Sequence, residues 1–290
     1  MTTRLLTPKD LADALGVSES SLKRWADDGS IRCSRTAGGH RRIALPEAIR
    51  FVRESRATLV RPEILGLPDV DAIAGSIPAE QDFTRQFTDY LLDGRAREAR
   101  GMVMAAYLSG RSVAELLDLL VAPAMHHVGE LWLHDSKGIF IEHRATDICI
   151  QAVNQLRAVL PAHEGGPFAV GAAPTNDPYL IPSLMSATVL ASEGFNAINL
   201  GPQTPVESLV HAVEQYDARL VWLSISNTEK TETISPYVTE LLSALQNTPA
   251  RLVVGGRSRS LVKVPAASRL IIVGSMTDLA AYARGLSVAA

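Results

Sequence analysis

The stretch at residues 34–43 constrains this chain more than any other part of it. It reads Ser-Arg-Thr-Ala-Gly-Gly-His-Arg-Arg-Ile, which combines three arginines, a histidine and a double glycine. The glycines permit a tight hairpin turn, and the cationic side chains can donate hydrogen bonds to phosphate oxygens. Because a helix-turn-helix pattern comes just before it, the stretch predicts a hairpin that lies against the backbone of duplex DNA.

Two capped helices are predicted ahead of this hairpin. Thr7 and Pro8 are typical of a helix start, and Gly16 is typical of a helix end. Ser18 is the expected cap of a second helix, which we expect to enter the major groove while Trp25 packs in the core. The residues expected to bind DNA are Ser20, Ser21, Lys23, Arg24, Arg35, Thr36, Gly38, Gly39, His40, Arg41 and Arg42.

The charge of the chain is divided unevenly along its length. Residues 1–60 hold 11 Lys and Arg against 7 Asp and Glu, whereas the remainder holds 17 against 24. Only the first 60 residues are therefore suited to a polyanion. This bias favours DNA contact over the alternative that Lys23 and Arg24 form only a solvated helix face.

The sequence gives no support to export or to a membrane span. No run of about 18 apolar residues occurs, and the first six residues lack an apolar signal core. Cys33 and Cys149 have no metal-ligand spacing and fit reduced thiols better than a disulfide. We therefore expect a cytoplasmic protein that does not enter a membrane.

The first 58 residues resemble the winged-helix domain of the MerR family. The resemblance depends on Trp25, Gly29 and Ile31 at the end of the second helix, and on the arginine-rich hairpin, or wing, after it. It implies that the wing arginines bind the DNA backbone beside the groove-bound helix. It also implies that binding is dimeric.

The rest of the chain divides into three expected parts. Residues 59–80 lack a sustained helical period and predict a linker, and residues 81–162 predict a bundle of four or five helices. Residues 163–290 alternate short apolar strands, at 168–173, 197–200, 220–225, 252–254 and 270–273, with helical stretches. The expected fold class is multidomain α+β and α/β, ending in a flavodoxin-like, doubly wound, five-stranded parallel sheet.

Ligands of such sheets bind beyond the carboxyl ends of the strands. Those ends are residues 174–179, 201–202, 224–227 and 255–256. The chain has neither the GxxxxGK nor the GxGxxG pattern, so nucleotide-dependent enzymes lose support. It also shows no Ser, His and Asp set at triad spacing, and we expect no enzyme activity.

The bundle and sheet resemble the cobalamin-binding module shared by methionine synthase and the light-responsive repressors of the CarH, CarA and LitR class. The similarity includes residues 193–205 and Trp132, which nine residues separate from Glu142-His143. It implies that Trp132 covers the upper face of a corrin with Glu142 and His143 nearby. The alternative is a core tryptophan and a surface Glu-His pair.

The chain departs from that family where a histidine would bind cobalt. The family shows Asp-x-His-x-x-Gly after the first strand, whereas this chain has Asp177, Tyr179 and Pro182 at the matching positions. Ionising a tyrosine at pH 7 costs about 4 kcal/mol, so Tyr179 is a poor substitute. Pro182 predicts a helix start near Ile181. The positions matching those that line the cofactor tail are kept: Ser224, Ser226, Gly255 and Gly256.

A second set of polar residues has metal-like spacing. His126, Glu130 and His134 recur every four residues and could share a helix face, although a solvated face explains them more simply. We expect no metal site there.

These observations favour a transcription regulator that binds double-stranded operator DNA. A cobalamin-type sensor would set its homo-oligomeric state, with light as a stimulus that the resemblance implies. Three alternatives remain: a pocket repurposed for another ligand or only for assembly, an architectural DNA-binding protein, and a corrinoid-dependent methyl-transfer component. The last predicts an intact histidine motif and no DNA-binding winged-helix domain at residues 1–58, which we call the head. Neither expectation holds.

Overall fold

The computed structural model describes residues 4–73, 82–131, 138–227, 231–265 and 268–288. The chain forms two compact units, one of residues 1–112 and 119–161 and the other of residues 113–118 and 162–290. The first unit therefore contains both the expected winged helix and most of the expected bundle. The sequence had divided them with boundaries at residues 58 and 80.

The first unit begins with a winged helix-turn-helix. Its three-stranded antiparallel sheet has the order β1-β3-β2. The strands are β1 (Leu5–Leu6), β2 (Ser34–Arg35) and β3 (Arg41–Ala44), and the helices are α1 (Pro8–Leu15), α2 (Glu19–Asp27) and α3 (Leu45–Ser55). Leu11, Leu22 and Ile49 are fully buried and form the core that fixes the angle between these helices.

The predicted caps of the first two helices are present. The Thr7 hydroxyl accepts a hydrogen bond from the Asp10 amide at 3.1 Å, and the Asp10 carboxylate accepts one from the Thr7 amide at 2.8 Å. The Ser18 hydroxyl accepts from the Ser21 amide at 3.2 Å. These bonds satisfy amide groups that a helix start leaves without partners, so they place α2 at a defined point of the chain.

The segment after α3 is packed, although its sequence suggested a linker. It forms two 3₁₀ helices, Pro62–Leu65 and Pro68–Ile73, in which Leu65 and Ile73 are buried. The Val60 amide donates to the Ala14 carbonyl at 2.9 Å, which returns the chain to α1. Short 3₁₀ turns that begin at prolines have no 3.6-residue apolar period, so a search for that period misses them.

The helices of the bundle follow this segment. They are α4 (Phe83–Asp93), α5 (Ala96–Leu108), α7 (Ala122–Leu131) and α8 (Gly138–Ala158). Phe87, Met102 and Cys149 are at most 1% exposed and lie in its core. A short helix, α6 (Val113–Leu116), and a π-helical turn, Leu117–Val121, join α5 to α7. The predicted helical bundle is confirmed.

The second unit is a five-stranded sheet with all neighbouring strands parallel. The strands are β4 (Phe168–Pro174), β5 (Asn196–Thr204), β6 (Leu220–Ser224), β7 (Arg251–Gly255) and β8 (Leu270–Ile272). Their order, β5-β4-β6-β7-β8, is the flavodoxin-like order, which confirms that prediction.

Helices cover both faces of this sheet. They are α9 (Leu180–Ser192), α10 (Val206–Tyr216), α11 (Ile234–Ala244) and α12 (Met276–Val288). Val221 and Leu223 share a core with α10 and α11, whereas Trp222 between them bonds to α9 on the opposite face. Asp118, in the π-helical turn, accepts from the Met276 and Thr277 amides at 2.8 and 2.9 Å and so caps α12.

No described helix combines the length and the apolar character that a membrane span requires.

Candidate functional site

The outward face of α2 carries the side chains that the sequence assigned to DNA. Ser20, Lys23 and Arg24 are exposed and Ser21 is half-buried, while Leu22 points into the core. The Lys23 ammonium lies 3.0 Å from the Glu19 carboxylate, one turn earlier on the same surface. An exposed pair of this kind contributes little to stability, so Lys23 can exchange it for a phosphate at small cost.

The wing is a hairpin closed by its own backbone. The Thr36 amide donates to the His40 carbonyl at 2.9 Å, and the Gly39 amide donates to the Thr36 carbonyl at 2.8 Å. Gly39 has a φ of 78°, a conformation that favours glycine. Arg35, Thr36, Gly38, Gly39 and His40 are all exposed at this tip, as a surface that meets DNA requires.

Arg41 has a protein partner that sequence reasoning did not include. Its guanidinium forms an ion pair with Asp27, the last residue of α2, and its side chain is 22% exposed. Arg42 is half-buried and donates to the Arg41 carbonyl at 3.1 Å. Arg41 therefore ties the wing to the end of α2, in addition to any contact with a phosphate.

A second pair holds the loop between α2 and the wing. The Glu47 carboxylate accepts from the Arg32 amide at 2.8 Å and from Arg50 Nε at 2.9 Å, and Arg50 also donates to the Ser30 carbonyl at 2.9 Å. Burial opposes ionisation of Glu47, but the bonds from Arg50 and from the Arg32 amide outweigh it and lower the pKa of this carboxyl.

Sequence reasoning missed Glu47 and Arg50 as positioning residues. Their only sequence signal is the spacing of three residues on a predicted helix, which is also typical of an ordinary surface ion pair.

In the second unit, the Asp177 carboxylate accepts hydrogen bonds from the protein backbone. It is 2% exposed, and its carboxylate accepts from the amides of Tyr179 at 3.1 Å, Ser226 at 2.6 Å and Asn227 at 3.0 Å. These bonds tie the loop after β4 to the loop after β6. The Tyr179 residue is 45% exposed, at the start of α9.

The serine and glycine residues expected to line a cofactor tail are packed against other parts of the protein. Ser224 is 3% exposed, and its hydroxyl lies 3.4 Å from the Ser186 hydroxyl of α9. Gly256 has a φ of 97°, and a Cβ there would overlap the Ile225 backbone. A Cβ on Gly255 would lie 3.2 Å from the Val273 side chain. The glycines therefore serve close packing within the sheet unit. Ser226 is half-buried, and its carbonyl accepts from Ser258 at 3.1 Å.

The residues present do not fit a corrinoid that is anchored by histidine and inserts its tail between α9 and β6. An exposed tyrosine stands at the anchor position, and Pro182 lies in the first turn of α9, which begins at Leu180, one residue before the predicted start. The Ser186 and Ser224 hydroxyls meet directly across the gap that a tail would need.

The bundle residues assigned to the upper face of a corrin are described only in part. Trp132 lies outside the described residues. Glu142 and His143 lie on α8, where the Glu142 carboxylate accepts from the Thr146 hydroxyl at 3.1 Å and the His143 side chain is 76% exposed. His143 is therefore on the surface of α8, whereas Glu142 is half-buried and bonded within that helix.

The metal-like set is likewise incomplete in the structure. His126 lies 3.2 Å from Glu130, one turn apart on α7, while His134 lies outside the described residues. Within the described part of the chain, no three His, Cys, Asp or Glu side chains converge as metal ligands would.

Two family models match the chain. A helix-turn-helix domain matches residues 5–47, and a B12 binding domain matches residues 84–157. The chain joins a helix-turn-helix domain to a B12-binding domain. This combination fits a CarH-like regulator, as the sequence suggested. No curated protein matches the chain significantly.

Two solved structures align with most of this chain, and the first of them shares its fold. The monomethylamine corrinoid protein of Methanosarcina barkeri aligns over 72% of this chain and 100% of its own, with a TM-score of 0.54 and 15% identity. A cobalamin-binding protein from Desulfitobacterium hafniense DCB-2 aligns over 73% of this chain and 98% of its own, with a TM-score of 0.35 and 20% identity. The first likeness shows the fold alone.

Proposed function

We propose that this chain is a non-enzymatic transcription regulator of the MerR type, whose operator binding is controlled by a B12-binding-type sensor. The observation that carries the proposal is the winged helix-turn-helix with its exposed cationic surface, packed in one compact unit with a B12-type bundle. A corrinoid-dependent methyl-transfer component does not require a DNA-binding domain.

DNA binding follows from the geometry of the head. Helix α2 presents Lys23 and Arg24 to the major groove, and the exposed wing tip around Arg35 and His40 reaches the adjacent backbone. Two heads on adjacent half-sites bind tightly only when their sensor modules associate, because association raises the effective concentration of the second head. The ligand acts by shifting that association.

Contacts within the first unit support a mechanical link between head and bundle. Arg53 of α3 donates to the Tyr107 and Arg111 carbonyls, the latter at 3.0 Å, and its guanidinium lies 3.8 Å from the centre of the Tyr107 ring. A change in the packing of α5 therefore reaches the head through Arg53.

A second candidate is the same regulator with its pocket adapted to another ligand, or serving only assembly. The replacement of the anchor histidine by Tyr179 and the direct Ser186–Ser224 contact favour it.

The test begins with duplexes that the full chain selects from a random-sequence pool. Affinity for a selected duplex is measured by fluorescence anisotropy, with and without adenosylcobalamin or methylcobalamin, in darkness and after illumination. Light scattering gives the mass of the protein in each state. We expect a corrinoid to change both the affinity and the mass. If the pocket is adapted to another ligand or serves only assembly, a corrinoid should change neither.

A matched pair of variants tests the DNA-binding surface. Replacing Lys23 and Arg24 together by Ala removes two cations, so the salt slope of binding should fall by about two units. Arg85→Ala is the control, because Arg85 is an exposed arginine of the bundle with its own partner, Asp82. If the double variant selects and binds the same duplex as the unaltered protein does, α2 is not the recognition helix.

A further inference from the structure

Three hydrogen-bonded side chains, two of them fully buried, connect α9 to the strands beneath it. The indole Nε1 of Trp222 donates to the Ser183 hydroxyl at 3.0 Å, and this hydroxyl donates to the side-chain oxygen Oδ1 of Asn199 at 2.7 Å. Trp222 is 1% exposed and Ser183 is 0% exposed. One hydrogen-bonded path therefore runs from β6 through α9 to β5.

The indole fills the space between the helix and the sheet. Gly171 on β4 stands beside Trp222 in register, and a Cβ at Gly171 would overlap the indole ring. The ring therefore lies directly on the β4 backbone, and its only polar group is satisfied by Ser183. Protein interiors packed in this way leave no room for a further group without displacing a side chain.

The gap is also closed at the carboxyl edge of the sheet. Two residues beyond Trp222, Ser224 meets Ser186, whose hydroxyl also lies 3.0 Å from the Pro182 carbonyl. The Asp177 carboxylate ties together the loops above this point through three amides. Opening a channel between α9 and β6 would therefore break these bonds as well as displace the indole.

We propose that the sheet unit excludes the nucleotide tail of a corrinoid from its core. The ligand class for this chain is then a corrinoid that keeps its own base on cobalt, or one that lacks the tail. This inference rests on the proposed function for the choice of a corrinoid. The exclusion itself depends on Trp222, Ser183 and the Ser186–Ser224 contact.

The first experiment compares adenosylcobalamin with adenosylcobinamide, which has no nucleotide tail, on the full chain in darkness. We expect dissociation constants within about threefold of each other, because the tail makes no buried contact. We also expect bound adenosylcobalamin to keep its base-on absorption spectrum. A preference for adenosylcobalamin of more than about tenfold, with a base-off spectrum, overturns the proposal.

The second experiment restores the missing histidine in two variants, one that keeps the Trp222 indole and one that removes it. The variant Tyr179→His with Pro182→Gly is compared with a triple variant that also carries Trp222→Ala. Each variant is labelled with 15N and loaded with adenosylcobalamin. After conversion to Co(II), electron paramagnetic resonance reports whether cobalt carries a 15N nitrogen from the protein or the 14N nitrogen of the cofactor's own base. We expect the protein-nitrogen signature only in the triple variant. Its appearance in the double variant overturns the proposal, because a tail would then enter beside the intact indole.

Controls separate this inference from the function on which it rests. Circular dichroism establishes that the variants fold, and Trp222→Leu, which keeps part of the buried volume, replaces Trp222→Ala if the latter does not. If the unaltered chain binds neither corrinoid, the corrinoid sensor fails, while the comparison of double and triple variants still decides tail exclusion. A triple variant that folds and shows no protein nitrogen on cobalt counts against Trp222 as the barrier.

Discussion

Arg41 has a structural role within the head as well as an expected role in DNA binding. The sequence placed all three wing arginines among the phosphate ligands, but the structure pairs Arg41 with Asp27 at the end of α2. A carboxylate partner already compensates part of its charge, so Arg41 should displace fewer counterions from DNA than Arg35 at the exposed tip.

We therefore expect Arg35→Ala to reduce the salt slope of DNA binding by about one unit and Arg41→Ala to reduce it by less. Arg41→Ala should instead weaken binding at every salt concentration, because the wing loses its tie to α2. Titrations of a selected duplex at several salt concentrations measure both effects. Equal slopes for the two variants would show that Arg41 leaves Asp27 and acts as a full phosphate ligand.

Glu47 makes the stability of the head depend on pH in acid. Its folded-state pKa is lowered, against the opposing effect of burial, by Arg50 and by the Arg32 amide. The stabilisation is therefore present above the ordinary glutamate pKa of about 4.3 and is lost as the pH falls through the folded-state value. Glu47→Gln should cost about 1–2 kcal/mol near pH 7 and almost nothing in acid. Thermal unfolding of both proteins across this range measures the difference, and a constant difference would contradict the assignment.

At the scale of elements, the packed 3₁₀ segment depends on a glycine of α5. A Cβ at Gly101 would overlap the Asp69 carbonyl, and the Asp69 carboxylate lies 2.7 Å from Arg100 and 3.3 Å from Arg97. The missing side chain lets the backbone of the segment lie directly on the helix, where the two arginines hold it.

Gly101→Ala should destabilise the first unit by about 1–3 kcal/mol, because overpacking must push the segment away from α5. Gly129→Ala is a matched control, since Gly129 also lies in a helix of this unit but a Cβ there meets nothing within 4 Å. Urea unfolding gives the stabilities, and limited proteolysis reports whether residues 62–73 are released. Equal effects of the two substitutions would mean that the segment does not depend on this contact.

The elements that the sequence predicted well have local causes. Thr7 and Ser18 cap helices through atoms within three residues, and the apolar strand at 168–173 needs only its own composition to be recognised.

The contacts that the sequence did not predict depend on partners that are distant along the chain. Nothing near Asp177 in the sequence indicates that its carboxylate will bind the amides of Ser226 and Asn227, and nothing near Trp222 indicates Ser183.

At the scale of the whole molecule, the close packing of head and bundle has a functional consequence. The two were expected to be joined by a flexible link, yet Arg53 contacts Tyr107 and Arg111. In the described part of the intervening segment, Val60 bonds to α1 and Asp69 packs against α5. These contacts restrict the positions that each head can take relative to the bundle. If sensor modules associate, the second head then reaches its half-site with little further loss of conformational freedom.

This restriction can be measured by comparing duplexes that carry one or two copies of the selected half-site. The full chain should bind the two-site duplex at least about tenfold tighter than the one-site duplex. Arg53→Ala should reduce this ratio, because a loosened head samples more positions. Affinity for the one-site duplex should stay within about twofold, since the partners of Arg53 are Tyr107 and Arg111 of the bundle side. Arg85→Ala, on α4, should change neither quantity. An unchanged ratio for Arg53→Ala would place the coupling elsewhere, and equal loss on both duplexes would make Arg53 a residue of the DNA surface.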